Sequence, residues 1–296
     1  MPELPEVETV RRGLEDRLSL FCIEGVEVFR ERAIASPGGS EEFTQKLVGA
    51  FIGKWNRRGK YLIASLHKRK SACLKEEDPS KVYGWLGVHL RMTGYFQWHD
   101  QLITPCPYTR VRFWNNHGAE LRFVDIRSFG QMWWVPSNSS PEKIITGLTK
   151  LGPEPFSKEF NCQYLTRQLK GKTCSIKAAL LNQSLVAGVG NIYADESLFL
   201  AGILPQKASC QLKPLEIKKL RESLIEVLKV SIGKGGTTFS DFRDLEGLNG
   251  NYGGQAWVYK RGGQICRKCG SKINRAKVSG RSTHWCPECQ KDKPGL

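Results

Sequence analysis

The chain has no apolar run of about eighteen residues, the length a membrane-spanning helix needs, and its start has neither the basic nor the apolar region of a secretory signal. These absences argue against a transmembrane segment and make the cytosol the expected compartment. Negative charge is also scarce: 29 Asp and Glu stand against 45 Lys and Arg, a formal charge of +16. That imbalance points to a polyanionic partner, either nucleic acid or an anionic membrane surface. Paired cysteine spacing is missing from most of the chain. Six of the ten cysteines, Cys22, Cys73, Cys106, Cys162, Cys174 and Cys210, are scattered, which suits reduced, mostly buried thiols in the cytosol. With 296 residues, 40% of them apolar, the chain can fill two compact cores and is not a disordered polymer.

The first fifteen residues, MPELPEVETVRRGLE, hold two prolines and four glutamates. Pro5 suits the first turn of a helix, where its missing N–H costs nothing, and the acidic residues suit the positive end of the helix dipole. Val7, Val10, Leu14 and Leu18 recur at helical spacing, so one face packs and pins the terminus. Removal of Met1 would leave Pro2 as a secondary amine beside Glu3. An α-amino group titrates near ~8, against ~10.4 for lysine, so it is a usable nucleophile at neutral pH. Attack on a sugar C1′ would give an iminium, with a neighbouring carboxyl to pass protons. A helix cap with an acidic first turn is the simpler alternative.

Near the other end, Cys266-x2-Cys269 and Cys286-x2-Cys289 have the spacing of a zinc ribbon, in which two close pairs complete one tetrahedron. Four thiolates leave no open position for water, so this zinc is expected to be structural. Between the pairs, Lys272, Arg275, Lys277 and Arg281 are basic with no intervening acid, as in a hairpin that grips phosphates.

The string PELPEVETVRRGL resembles the amino terminus of the formamidopyrimidine-DNA glycosylase family, bacterial repair enzymes that excise oxidised purines and then cleave the strand. The resemblance implies that Pro2 is the Schiff-base nucleophile and Glu3 its acid partner, with Glu6 in the same motif. It extends along the chain. Arg57-Arg58-Gly59-Lys60-Tyr61 matches the segment whose lysine, here Lys60, lies by the lesion phosphate and assists β-elimination. His89-Leu90-Arg91-Met92-Thr93-Gly94 resembles the turn that pushes a methionine, Met92, into the base stack, and Asp125-Ile126-Arg127-Ser128-Phe129-Gly130 the segment in which Arg127 faces the orphaned base and Phe129 wedges beside it. Such fillers offset the cost of flipping a base, on the order of a few kcal/mol. The chain departs from the family at Ser128, where a second arginine is frequent, and at Tyr108, where a DNA-contacting histidine is frequent; tyrosine keeps a hydroxyl donor without the titrating ring.

In the carboxy-terminal half, SIKAALLNQSLVAGVGNIYADESLFLAGI reads as two helices around a turn that Gly188 and Gly190 make tight. It resembles the family's helix-two-turn-helix, in which Asn191 contacts the DNA backbone; Lys172 matches a phosphate contact, and Lys177 shares its motif. Arg281, in RSTHWC, matches the finger arginine that holds the lesion phosphates and takes part in δ-elimination. Residues 235–255 resemble a loop that closes over the everted base.

The expected fold is therefore α+β and multidomain: an N-terminal helix with a β-sandwich (1–136), a linker (137–155), a helix-two-turn-helix domain (156–245), a lesion-capping loop (246–261) and a zinc-ribbon β-hairpin (262–296). Strands are expected in IEGVEVF, KYLIASL, GWLGVHL, YFQWH, TRVRFW, AELRFVD and GQMWWV, and NNHG as a hairpin turn. Residues 67–83 read as a surface insertion. The implied function is a bifunctional DNA glycosylase and abasic-site lyase acting on formamidopyrimidines and 8-oxoguanine. It would carry one structural zinc and bind double-stranded DNA containing a damaged base as a monomer, away from membranes. Two alternatives stay open: an endonuclease VIII-like enzyme for oxidised pyrimidines, and a non-catalytic zinc-containing DNA-binding protein.

Overall fold

The structure, a computed structural model, describes residues 1–18, 21–68, 82–237, 247 and 250–291. They form two compact units, Met1–Thr149 with Gly235–Gly250, and Lys150–Lys234 with Asn251–Leu296.

In the first unit, helix α1 (Leu4–Arg17) is followed by β1 (Gly25–Val28), α2 (Gly39–Leu47), β2 (Ala50–Arg58), β3 (Tyr61–Lys68), β4 (Gly84–His89), β5 (Gly94–His99), β6 (Thr109–Trp114), β7 (Glu120–Asp125), β8 (Gln131–Pro136) and the short α3 (Pro141–Ile144). Two four-stranded antiparallel sheets result, ordered β1-β6-β7-β5 and β2-β3-β4-β8. Both feed one core. Phe96, Val111, Phe113 and Phe123 come from the first sheet and Ile52, Trp55, Leu62, Leu86, Val88 and Trp134 from the second, with Val7, Val10 and Leu14 of α1 in the same cluster. This is the sandwich behind a first helix that the sequence implies.

Residues 39–58 carry no element in the sequence reading, yet form α2 and β2. The apolar alternation of β2 is broken by a bulge between Ile52 and Trp55, which hides the strand from a period-two search. Helix α1 is fixed at this bulge, where Trp55 N–H donates to Glu15 Oε2 at 2.8 Å and Arg11 Nη1 to Trp55 O at 3.2 Å. His67 and Lys68, expected in the insertion, complete β3; residues 69–81 lie outside those described. The NNHG turn is present, with Gly118 at φ +81° and its N–H donating to Asn115 O at 3.2 Å.

The second unit holds α4 (Cys162–Leu169), α5 (Ile176–Leu181), α6 (Asn191–Ala201), α7 (Pro214–Gly233) and a ribbon of β9 (Asn274–Val278) with β10 (Arg281–Trp285). Side-chain caps start two of these helices: Asn161 accepts from Tyr164 N–H and Ser175 from Ala178 N–H. Gly202, at φ +70°, ends α6. The scattered thiols are less buried than expected. Among those described only Cys22 is buried, while Cys174 and Cys210 are exposed. Among the described residues no helix is long and apolar enough to cross a membrane.

Candidate active site and DNA-binding surfaces

The amino terminus is built around one carboxylate. Glu3 is the N-cap of α1, and Glu6 reaches back so that its Oε2 accepts from Glu3 N–H at 2.8 Å, while its Oε1 accepts from Thr237 N–H at 2.8 Å. Glu6 is buried, and so are Pro2 and Glu3. Glycine suits residue 236: it sits at φ +81°, where a side chain is strained, and a Cβ there would meet Glu6 Oε1 at 3.0 Å. The motif membership of Glu6 thus becomes a physical role, joining the start of α1 to the segment around Thr237. Residues 238–246 and 248–249, within the 235–255 stretch that resembles the family's closing loop, lie outside the described residues. Met1 lines an open groove of about 460 Å³ together with Arg32, Arg91, Met92, Phe129 and Gln131. The terminus and two of the three expected stack fillers therefore share one concavity.

Lys60 occupies the β2–β3 turn, next to Gly59 at φ +57°. The turn is braced from α1: Glu8 Oε2 accepts from Arg57 Nε at 3.2 Å, and Arg57 Nη1 donates to Gly59 O at 3.0 Å. Burial alone would raise the Glu8 carboxyl, but hydrogen bonds from Arg11 and Arg12 and the charges of Arg11 and Arg57 outweigh it and hold the group below its ordinary 4.5. Lys60 itself is buried. Register places Tyr61 opposite His89 and His89 opposite Gln131, so Lys60, His89 and Gln131 gather at one end of the sheet. Burial, followed by the charges of Arg91 and Lys60, depresses His89 from 6.5 to about 3. It is a neutral ring in a cationic setting, and its Nδ1 accepts from Arg91 N–H at 3.0 Å.

The expected fillers stand on two loops. Arg91, at φ +53°, and Ser128, at φ +54°, turn them. Arg127 lies over the Phe129 ring at 4.8 Å, as does Arg32 at 5.5 Å. Both Arg127 and Phe129 are exposed. Asp125 is fully buried and serves the whole segment: Oδ1 accepts from the Thr93 hydroxyl and from Arg127 N–H at 3.2 Å, and Oδ2 from Gly130 N–H at 2.6 Å. Tyr108 is 48% exposed, with Arg110 over its ring at 5.9 Å, and Arg110 Nε donates to Asp125 O at 2.7 Å.

In the second unit, Asn191 opens α6 and its Nδ2 donates to Ser282 O at 2.9 Å, which sets it beside the exposed Arg281 on β10. Lys172 is half-buried in the turn after α4, its N–H donating to Leu169 O at 3.1 Å. Lys177 is not a surface lysine. It is buried, with Nζ 2.6 Å from Asp195 Oδ1 and 2.9 Å from both Ser282 O and Thr283 Oγ1, while Asp195 Oδ2 accepts from His284 N–H at 2.9 Å. This buried pair staples β10 to α5 and α6. Glu196, next along α6, accepts from the N–H groups of Trp257, Val258 and Tyr259 at 2.7, 2.9 and 2.9 Å; burial raises its carboxyl above 4.5 against the pull of those donors. The anchoring carboxylates Asp195 and Glu196 escape a sequence search because their partners are distant in the chain.

The four sulfur atoms of Cys266, Cys269, Cys286 and Cys289 lie within 4.8 Å of one another. Cys266 and Cys289 are 3.9 Å apart and Cys269 and Cys286 3.4 Å, bracketing the ~3.8 Å edge of a tetrahedron with Zn–S near 2.3 Å. Lys268 N–H and Cys289 N–H donate to the sulfurs of Cys266 and Cys286, each at 3.4 Å, the outer hydrogen bonds such a site needs. The cluster fits one structural zinc.

Comparison with known proteins covers the chain. Residues 1–132 match the formamidopyrimidine-DNA glycosylase N-terminal domain, residues 151–243 the formamidopyrimidine-DNA glycosylase H2TH domain, and residues 263–291 a zinc finger found in FPG and IleRS. A formamidopyrimidine-DNA glycosylase of Prochlorococcus marinus is 65% identical over 98% of this chain and 100% of its own, and one of Parasynechococcus marenigrum is 63% identical over the same shares. The Lactococcus lactis Fpg bound to DNA containing an abasic site superimposes with a TM-score of 0.86 at 34% identity, covering 98% of this chain and 100% of the other. MutM in complex with DNA containing carbocyclic 8-oxo-G gives 0.85 at 35% over the same shares. The chain belongs to the formamidopyrimidine-DNA glycosylase family, the zinc-finger DNA glycosylases of base excision repair.

Proposed function

We propose that the protein removes oxidised purines, formamidopyrimidines and 8-oxoguanine, from duplex DNA through a covalent iminium at Pro2 and then opens the strand. The observation that carries this reading is the groove in which the terminus meets Met92 and Phe129, with Glu3 held by Glu6 and Pro2 buried beside it. Once Met1 is removed, the Pro2 nitrogen attacks C1′ of the everted nucleoside and the N-glycosidic bond breaks; the base leaves with its electron pair and takes a proton. Glu3 gives a proton to O4′ as the C1′–O4′ bond breaks, and the Pro2 lone pair closes the C1′–nitrogen double bond of an iminium. The iminium then makes the C2′ proton acidic, and elimination expels the 3′ phosphate and afterwards the 5′ phosphate. Lys60 assists the first elimination, and Arg281 holds the phosphates and assists the second. Met92 and Phe129 fill the gap, and Arg127 offers paired donors to the orphaned cytosine. Tyr108, Lys172 and Asn191 contact the backbone.

The same reading assigns 1–136 to the catalytic sandwich, 137–155 to a linker, 156–245 to the helix-two-turn-helix, 246–261 to the capping loop and 262–296 to the zinc finger. It places a monomeric enzyme in the bacterial cytosol and nucleoid. Cys266, Cys269, Cys286 and Cys289 hold the zinc, which keeps the finger folded.

Borohydride trapping on a duplex containing 8-oxoguanine opposite cytosine tests the mechanism. The parent protein is expected to give a covalent band that maps to the terminal peptide, and Pro2→Gly to give none. No band from a protein whose mature terminus is Pro2, despite tight duplex binding, overturns it in favour of a binding protein. The substrate panel should include oxidised pyrimidines, because the wild-type Lactococcus lactis relative has been seen in complex with an oxidised pyrimidine-containing DNA.

A further inference from the structure

The two filler loops have an unusual place in the sandwich. Leu90–Thr93 leads from β4 of one sheet to β5 of the other, and Ile126–Gly130 leads from β7 back to β8. Each crosses between sheets at the same end, so neither is held by a strand ladder. Their ties are side chains. Gly94 pairs with Asp125 at the ends of β5 and β7, and from there the Asp125 carboxylate accepts the Thr93 hydroxyl on one loop and Arg127 N–H and Gly130 N–H on the other, at 3.2 and 2.6 Å. Thr93 Oγ1 in turn accepts from Arg127 N–H at 3.1 Å. A second link, Arg91 Nη2 to Gln131 Oε1 at 2.8 Å, runs outside this triangle. Close packing leaves the loops little freedom at their roots: a Cβ on Gly130 would lie 2.4 Å from Phe123 Cζ, and one on Gly94 2.5 Å from Leu90 O.

We infer that Thr93 and Asp125 form a clamp that makes the two loops enter the base stack as one body, so that Met92, Arg127 and Phe129 insert together. The inference rests on the proposed role of those three side chains as stack fillers. Thr93 touches no reacting atom in it and is a positioning residue. Its hydroxyl is the sole link in the triangle that comes from the Leu90–Thr93 loop. Without it, Met92 and Phe129 are joined only through the Arg91–Gln131 link and the loop roots, and each bears more of the ordering cost of insertion alone.

The test uses the full-length zinc-loaded protein and single-turnover excision of 8-oxoguanine opposite cytosine. Met92→Ala, Phe129→Ala and the double variant are measured in the parent and again in Thr93→Val, with Thr93→Ser as rescue and thermal melting as a check on folding. Loss of a hydrogen bond to a charged group predicts a roughly tenfold slower reaction for Thr93→Val, restored by Thr93→Ser. In the parent, the double variant is expected to lose clearly less than the product of the two single losses, because either truncation already disables a unit; in Thr93→Val the losses are expected to multiply. If the single truncations slow excision but Thr93→Val changes neither the rate nor the coupling, the clamp is overturned and the filler reading stands. If the truncations leave excision unchanged, the filler reading fails and takes the clamp with it. Should Thr93→Val and Thr93→Ser slow the reaction equally, hydroxyl-mediated coupling is refuted.

Discussion

The hairpin that presents Lys60 and the hairpin that presents Arg281 are alike locally and differ in what holds them. Both are antiparallel and both turn through a glycine in the left-handed region, Gly59 at φ +57° and Gly280 at +78°. The first belongs to a four-stranded sheet, with Trp55 and Leu62 in the sandwich core. The second is a lone ribbon in which only Thr283 and His284 are buried. A two-stranded hairpin is marginal in water, and this one depends on zinc thiolates at its base and the Lys177–Asp195 pair at its flank. A cation can be offered to a phosphate from either support. What differs is how each support fails.

The sharpest way to separate the two is to remove the metal. Structural zinc contributes about 10–16 kcal/mol of apparent binding free energy that is also folding free energy. Chelation or Cys286→Ser is expected to abolish measurable duplex binding in an anisotropy titration, while the circular dichroism of the sandwich persists. Equal loss of both signals would show that the supports are not independent. Next in size is Lys177→Met. It leaves Asp195 buried with its charge unmatched, at a cost of about 3–5 kcal/mol in denaturant unfolding; a cost under about 1 kcal/mol would mean that zinc alone carries the ribbon.

The Lys60 end of the sandwich should respond to acid. Folded His89 binds its proton only near pH 3 against an ordinary 6.5, so between those values the unfolded chain holds more protons. The stability this contributes is complete above pH 6.5 and is lost as pH falls toward 3. His89→Gln is expected to flatten that part of the unfolding free energy against pH; an unchanged slope would show that His89 is not held neutral by its burial and the charges of Arg91 and Lys60. The smallest effect expected is from Gly59→Ala. A side chain at positive φ costs about 1–2 kcal/mol, read as a lower melting temperature of the sandwich with zinc content unchanged.

The sequence makes parts of this arrangement legible and hides others for a consistent reason. Zinc ligation is written in two short Cys-x2-Cys spacings, and the sandwich in alternating runs, because both are local patterns. The family motifs mark Met92, Arg127 and Phe129 as positions. Nothing local marks Lys177 as buried: its partners Asp195 and Thr283 arrive from another helix and from the ribbon. Asp125 likewise stands in the motif string with no sign that it spans two sheet crossings. Strand β2 is concealed by its own bulge, which is also what receives Glu15 from α1.

The β3–β4 register bears on how the protein can be handled. Tyr61 and His89 pair at one end of these strands and Leu66 and Gly84 at the other. At ~3.3 Å per residue, Lys68 at the far end of β3 lies about 26 Å from Lys60. A dye or surface tether attached at the exposed position 68 would stand clear of the Lys60 turn, giving a labelled enzyme for single-molecule observation on DNA.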